Sequence, residues 1–279
     1  MIEILFYLTI ELNHVWELIA DKFWQIDTSS QEQQQDLSSG VCAPGMIRVS
    51  GQMKQDPDLN PFDNKNIESL QKNTCTKWMN KNYPERCIEF NKSKWLSISS
   101  TMKTKPMDFC IDQFEYPNHK GSYPLIFINF HEAKQLCQAE NKRLCTETEW
   151  TFACEGEEAS PYPTGYIRPS NICNIDKQWI SYHPTELLPR TKASTELDRL
   201  WQGVPSGSMP QCRSPFKVYD MVGNIDEWTT KDRPDGQYQS ILKGGYWGPV
   251  RTRCRPSTRS HNENHVFYQQ GFRCCKDVK

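Results

Sequence analysis

The sequence has no excess charge of either sign: 33 Lys and Arg face 34 Asp and Glu over 279 residues, a net charge of −1. That balance argues against nucleic-acid binding and against broad attraction to anionic lipid. Long apolar runs are missing too. The longest near the N-terminus, "ILFYLTI", is too short to span a bilayer, so no transmembrane span is expected. No two cysteines stand two residues apart, which disfavours a zinc ribbon. Basic residues are lacking before that run, and Glu3 and Glu11 break it up, so a clear signal peptide is not visible. Internal repeats are absent.

What is present is aromatic and sulfur-rich. Only 37% of residues are hydrophobic, but 9 Trp, 11 Tyr and 12 Phe can still bury a sizeable core. The 12 cysteines spread from Cys42 to Cys275 are what an oxidising compartment permits, so disulfides and a periplasmic or secreted location are expected. Spacing alone does not fix their connectivity. Cys137 and Cys145 flank a helix end and could form one bridge.

Residues 1–40 read as an amphipathic helix followed by a polar linker. Leu5, Leu8, Leu12, Val15, Ile19 and Phe23 recur at helical spacing, and "DTSSQEQQQDLSSG" lacks aromatics. Such a helix packs on the domain or on a partner. Residues 41–279 read as one domain, with an irregular insertion over about 54–105 carrying one short helix. Strands are expected in "VCAPGMIRVSG", "MDFCIDQFEYPN", "SILKGGYWG" and "QQGFRCC". In "FINFHEAKQLCQAENKRLCTETEWTFACEG", Phe130, Ala133, Leu136 and Cys137 share a helical face. Thr146 and Glu149 then make a capping box, so two short helices joined by a tight turn are expected. Loops dominate 155–215. Few helices, short strands and many loops make an α+β domain.

Four pieces stand in order: "RLCTETEWTFACEG", "YDMVGNIDEW", "KGGYWG" and "GFRCC". Together they resemble the sulfatase-modifying-factor family, to which the formylglycine-generating enzymes belong, over roughly residues 42–275. The resemblance implies a loop-rich α+β fold related to C-type lectins, and an oxidoreductase acting on a peptide or peptide-derived substrate. It also implies calcium, bound at Asp220 and at the backbone oxygens of Met221, Gly223 and Ile225. A second site begins at Asn174 and Ile175, with further ligands near Asp198 and Trp201. Mixed carboxylate and carbonyl oxygens suit that ion. By the same resemblance, Cys154 pairs with Cys274.

The chain departs from the family at the metal that does the chemistry. The family holds copper through two cysteines after its G-G-S motif; here the first position is Pro249, the second is Cys254, and the serine is Tyr246. A single thiolate cannot make a two-sulfur copper site. Iron on three histidines is a poor fit, because only His14 lies in the first hundred residues. If the chain is an enzyme, Cys254 is the expected reactive residue, with Tyr246, Glu227, Arg255 and His261 as neighbours and copper or iron as metal. Otherwise the loop from Tyr246 to Gln270 is a binding surface without chemistry. His261 and His265 stand four apart in a polar stretch that reads equally as a surface loop. Arg251, Arg253, Arg255, Arg259 and Arg273 either read an anionic ligand or fork to internal carboxylates.

Overall fold

Alternation in "MIRVSGQMK" makes β1, Met46–Lys54, whose Met46, Ile47, Val49 and Met53 are buried. The computed structural model describes residues 40–57, 66–79, 86–233 and 236–278. The amphipathic segment and nearly all of the linker therefore lie outside the described residues. Internal contacts divide the chain into a large unit, described over 40–179 and 202–278, and a small one, residues 180–201.

In the large unit, β1 is followed by α1 (Ile67–Thr74), β2 (Cys75–Trp78), β3 (Cys87–Phe90) and α2 (Lys92–Ser99). The insertion therefore holds two helices and a hairpin rather than one helix. Two of its asparagines are caps: the side chains of Asn66 and Asn91 accept from the backbone N–H of Ser69 and Lys94. The Cys75–Cys87 disulfide closes the hairpin.

Next come β4 (Thr104–Asp112), α3 (Phe130–Ala139), β5 (Arg143–Leu144) and α4 (Glu147–Glu155). Both helices start on capping boxes, Asn129 with Glu132 and Thr146 with Glu149. The turn expected between them contains β5. After a loop-rich stretch follow β6 (Asp226–Thr230), β7 (Ser240–Lys243), β8 (Ser257–Thr258), β9 (Gln270–Phe272) and β10 (Cys274–Asp277). The small unit has two 3-10 turns, Pro184–Glu186 and Arg190–Lys192, leading into α5, Ser194–Leu200.

One sheet runs β1-β4-β10-β5, with β1 and β4 antiparallel from Met46↔Asp112 to Lys54↔Thr104. The other runs β8-β7-β6-β9, with β6 and β9 parallel. "QQGFRCC" is thus two strands in two sheets, divided at Arg273. The fold is mixed α+β with much loop, as expected.

Adjacent residues of a strand point to opposite faces, and this sets the terminal disulfides. Cys275 joins Cys145 in a core with Trp150, Phe152 and Ile111; Cys274 joins Cys137 in a second core with Phe130, Trp228 and Phe272. The expected pairs Cys154–Cys274 and Cys137–Cys145 are both replaced. Cys274 stands opposite Leu144 in the β10–β5 ladder, on the α3 side, so it meets Cys137. Closing loops of 130 and 137 residues contributes roughly 4 to 5 kcal/mol each in the chain-entropy picture, less where loops are nested.

Candidate functional site

The arginines of the C-terminal segment are spent on internal carboxylates. Arg273, fully buried, forks onto Glu227 at 2.7 Å through both Nε and Nη2. Arg255 does the same to Glu155 at 2.7 and 2.6 Å, Arg259 reaches Glu147, Arg253 reaches Glu68 at 3.1 Å, and Arg251 reaches Asp226 at 2.5 Å. Burial pushes the Glu155 carboxyl up and the Arg255 guanidinium pulls it back. These forks bind segments together; they do not form an open anion-reading surface.

The proposed reactive cluster is dispersed by the same pairing. Glu227 lies in the core, where it also accepts from Trp150 Nε1 at 2.7 Å, and Arg255 is held by Glu155. Cys254 is buried and bridged to Cys154. The cause is local: Cys154 is on the last turn of α4, and the chain beyond it returns so that the Pro161 carbonyl accepts from the Cys254 N–H at 3.0 Å. All twelve cysteines are in bridges. With Pro249 at one copper position and a disulfide sulfur at the other, the residues present do not fit a thiolate copper centre.

Tyr246 and His261, by contrast, share charged neighbours: each is within electrostatic reach of the Asp226–Arg251 pair. The Tyr246 ring packs over Gly248, where a Cβ would stand 2.6 Å from it. Gln270 is opposite Asp226 in the β6–β9 register, so the two side chains share a face. The Oε1 atoms of Gln269 and Gln270 are buried without a hydrogen-bond donor. His261 and His265 stack with centroids 3.8 Å apart and planes 5° apart; burial pushes both below the ordinary imidazole value. Burial, then Asp226, pushes the Tyr246 hydroxyl up. These residues offer acceptors and flat rings and include no nucleophilic thiol.

The positions expected to hold calcium form a buried turn. Asp220 and Asn224 have φ of 55° and 54°, and Gly223 has φ of 79°. A Cβ on Gly223 would stand 2.4 Å from the Asn174 carbonyl oxygen, so only glycine fits. That oxygen already accepts from the Asn224 N–H at 2.9 Å, and Ile175 packs on the same glycine. The Asp220 carboxylate accepts from the Gly207 N–H at 2.7 Å. Beside it is a residue the sequence reading passed over, Glu115. Its Oε2 accepts from Ser206 Oγ and Asn224 Nδ2, both at 2.7 Å, while Oε1 is buried with no partner. Burial pushes Glu115 well up, and Asp220 and Glu227 add to this; burial also pushes Asp220 up to about 6. Two buried carboxyls, one of them with an orphaned oxygen, are donors of the kind a hard cation takes. The signal for Glu115 was an acid three residues beyond the end of β4, before Pro117.

The other expected ligands, Asp198 and Trp201, are in the small unit, on α5 and at its C-cap. That unit also brings ligating atoms of His183, Glu186 and Glu196 within 4.8 Å of one another. Glu196 is already taken by the Arg199 guanidinium at 2.5 and 2.7 Å and by the His183 N–H, and Arg199 foremost holds its carboxyl down to about 2.

The family described as sulfatase-modifying factor enzyme 1-like domain matches residues 27–278. The chain belongs to that family. Among curated relatives, an inactive C-alpha-formylglycine-generating enzyme 2 from Bos taurus is 29% identical over 163 residues, which is 56% of this chain and 50% of the relative. A formylglycine-generating enzyme from Mus musculus is 25% identical over 181 residues, covering 57% of this chain and 45% of the relative. The chain thus spans about half the length of these family members. Among solved structures, CarF aligns with a TM-score of 0.49 and 12% identity, covering 86% of this chain and 99% of that one.

Proposed function

We propose that this chain is a non-catalytic, ligand-binding member of the family, working in an oxidising compartment and stabilised by calcium. The observation that carries this is the Cys154–Cys254 bridge beside Pro249, which leaves no thiolate for copper. An oxidoreductase built on Cys254 would need a free thiol there. Six disulfides support a periplasmic or secreted location, since such bridges persist in oxidising compartments.

The ligand meets the surface carrying Tyr246, Arg251 and the stacked His261–His265 pair, where the buried Asp226 holds Arg251. Tyr246 and the imidazoles supply flat surface at low entropic cost. A protein or peptide ligand answers that description. Calcium is held by Asp220 and Glu115, with the turn carbonyls completing its shell.

Two assays test this. Protein supplied with Cu(I), dioxygen and a cysteine-containing peptide is expected to consume no oxygen above background and to form no aldehyde. Oxygen uptake that disappears in Cys254→Ser would overturn the proposal. In peptide and glycan arrays, binding to the native chain should weaken on Tyr246→Ala and His261→Ala; binding indifferent to both would contradict the assigned surface.

A further inference from the structure

A concavity that Tyr246 does not line lies between the segment after α4 and the turn before Val218. It has a volume of about 790 Å³, within the range of about 300–1,000 Å³ usual for ligand sites. One wall, from 155–166, carries Glu157 and Glu158; the other, from 211–217, carries Arg213 and Lys217. Tyr166, Ile172 and Phe216 give the surface between them its apolar character.

The two walls differ in how their charges are satisfied. Glu157 accepts from the Gln52 N–H at 2.7 Å. Glu158 accepts from the Tyr166 hydroxyl at 2.7 Å, and Lys92 stands 4.0 Å from it. Arg213 and Lys217 are exposed and enter no ion pair among the described residues. Their backbones are fixed, since the Ser214 carbonyl accepts from the Lys217 N–H at 2.8 Å and Arg213 bridges to Tyr219. Thr164 also lines the cavity, with its hydroxyl shielded from solvent. The unmet demand is thus for an anion at Arg213 and Lys217 and for apolar contact on Phe216.

We infer that this groove binds an acidic peptide segment, with a carboxylate on Arg213 and Lys217 and an apolar side chain on Phe216. A small inorganic anion would meet only the first demand and leave most of the volume unfilled. A basic peptide would meet carboxylates that already have donors. None of the lining residues is Cys254, a proposed calcium ligand or a member of the Tyr246 surface, so peptide binding here is tested separately from the function proposed above.

The test uses the full chain, immobilised, and N-acetylated pentapeptide pools in which one position is fixed as Glu or Gln and the rest are random. At one or more positions the Glu pool should be retained about tenfold more than the Gln pool. On the double variant Arg213→Glu/Lys217→Glu, that preference should vanish or turn towards Lys; both side chains are exposed, and circular dichroism checks the fold. Tyr246→Ala should leave the best peptide's binding unchanged. No retention of any pool, equal retention of Glu and Gln pools, or a preference unchanged by the double variant would overturn the inference. So would loss of binding in Tyr246→Ala alone.

Discussion

Arg273 is the residue at which the chain leaves one sheet for the other, and its guanidinium is matched by Glu227 with both groups almost wholly buried. Removing one partner of such a pair strands a charge in a low-dielectric interior. Glu227→Gln should cost about 3 to 5 kcal/mol, read by urea unfolding; the double variant Glu227→Gln/Arg273→Met should recover part of that loss. At Gly223 the reason is steric. Its Cβ would overlap the Asn174 carbonyl, so Gly223→Ala should lower Tm markedly while leaving surface behaviour unchanged. Residues such as these were visible in the sequence as types but not as roles. "GFR" and "DEW" announced a motif, yet nothing in either string says that their arginine and glutamate meet. Glu227 could be read as acid or as ion-pair partner, and only its burial beside Trp150 decides.

At the scale of elements, the capping box at Thr146 and the apolar face of α3 were legible because both depend on residues three or four apart. The insertion was less so. Its fold depends on contacts 63 to 185 residues away: Trp95 Nε1 to the Glu158 carbonyl, Gln71 to the Ala159 carbonyl, and Glu68 to Arg253. Trp95→Ala should remove the anchor of α2 at a cost of about 3 to 5 kcal/mol. The loss should appear as faster amide exchange and proteolysis over residues 66–102 before any change in β4. The disulfides follow the same logic. Cys274 and Cys275 are neighbours in sequence, but the pleat sends them to different cores, and neither partner can be deduced from spacing. The family resemblance misled at this point, because a motif match transfers positions and not the pairing among them.

For the whole molecule, the proposed calcium site would couple ion binding to folding and to pH. Without the ion, the Asp220 and Glu115 carboxyls both titrate above their ordinary range, so the fold takes up protons there. The stability they give is fully present below the ordinary carboxylate pKa. It is lost as pH rises through about 6 for Asp220 and through the raised value of Glu115. Calcium binds the ionised pair, so its stabilisation should be larger at pH 8 than at pH 5. At a hundredfold excess over Kd it should reach about 2.7 kcal/mol. Thermal melts in calcium and in chelator at both pH values check this, and Asp220→Asn with Glu115→Gln should abolish the difference. A calcium effect equal at both pH values, or surviving that double variant, would remove these residues from the site.

The central claim, that Cys254 belongs to a bridge and not to a reaction, is tested most directly by mass-spectrometric disulfide mapping of unreduced protein whose free thiols have been alkylated. The account predicts a Cys154–Cys254 cross-linked peptide, Cys274 joined to Cys137, and no alkylated cysteine. An alkylated Cys254, with Cys154 joined to Cys274, would contradict it and return a thiol to the segment where the family keeps its copper.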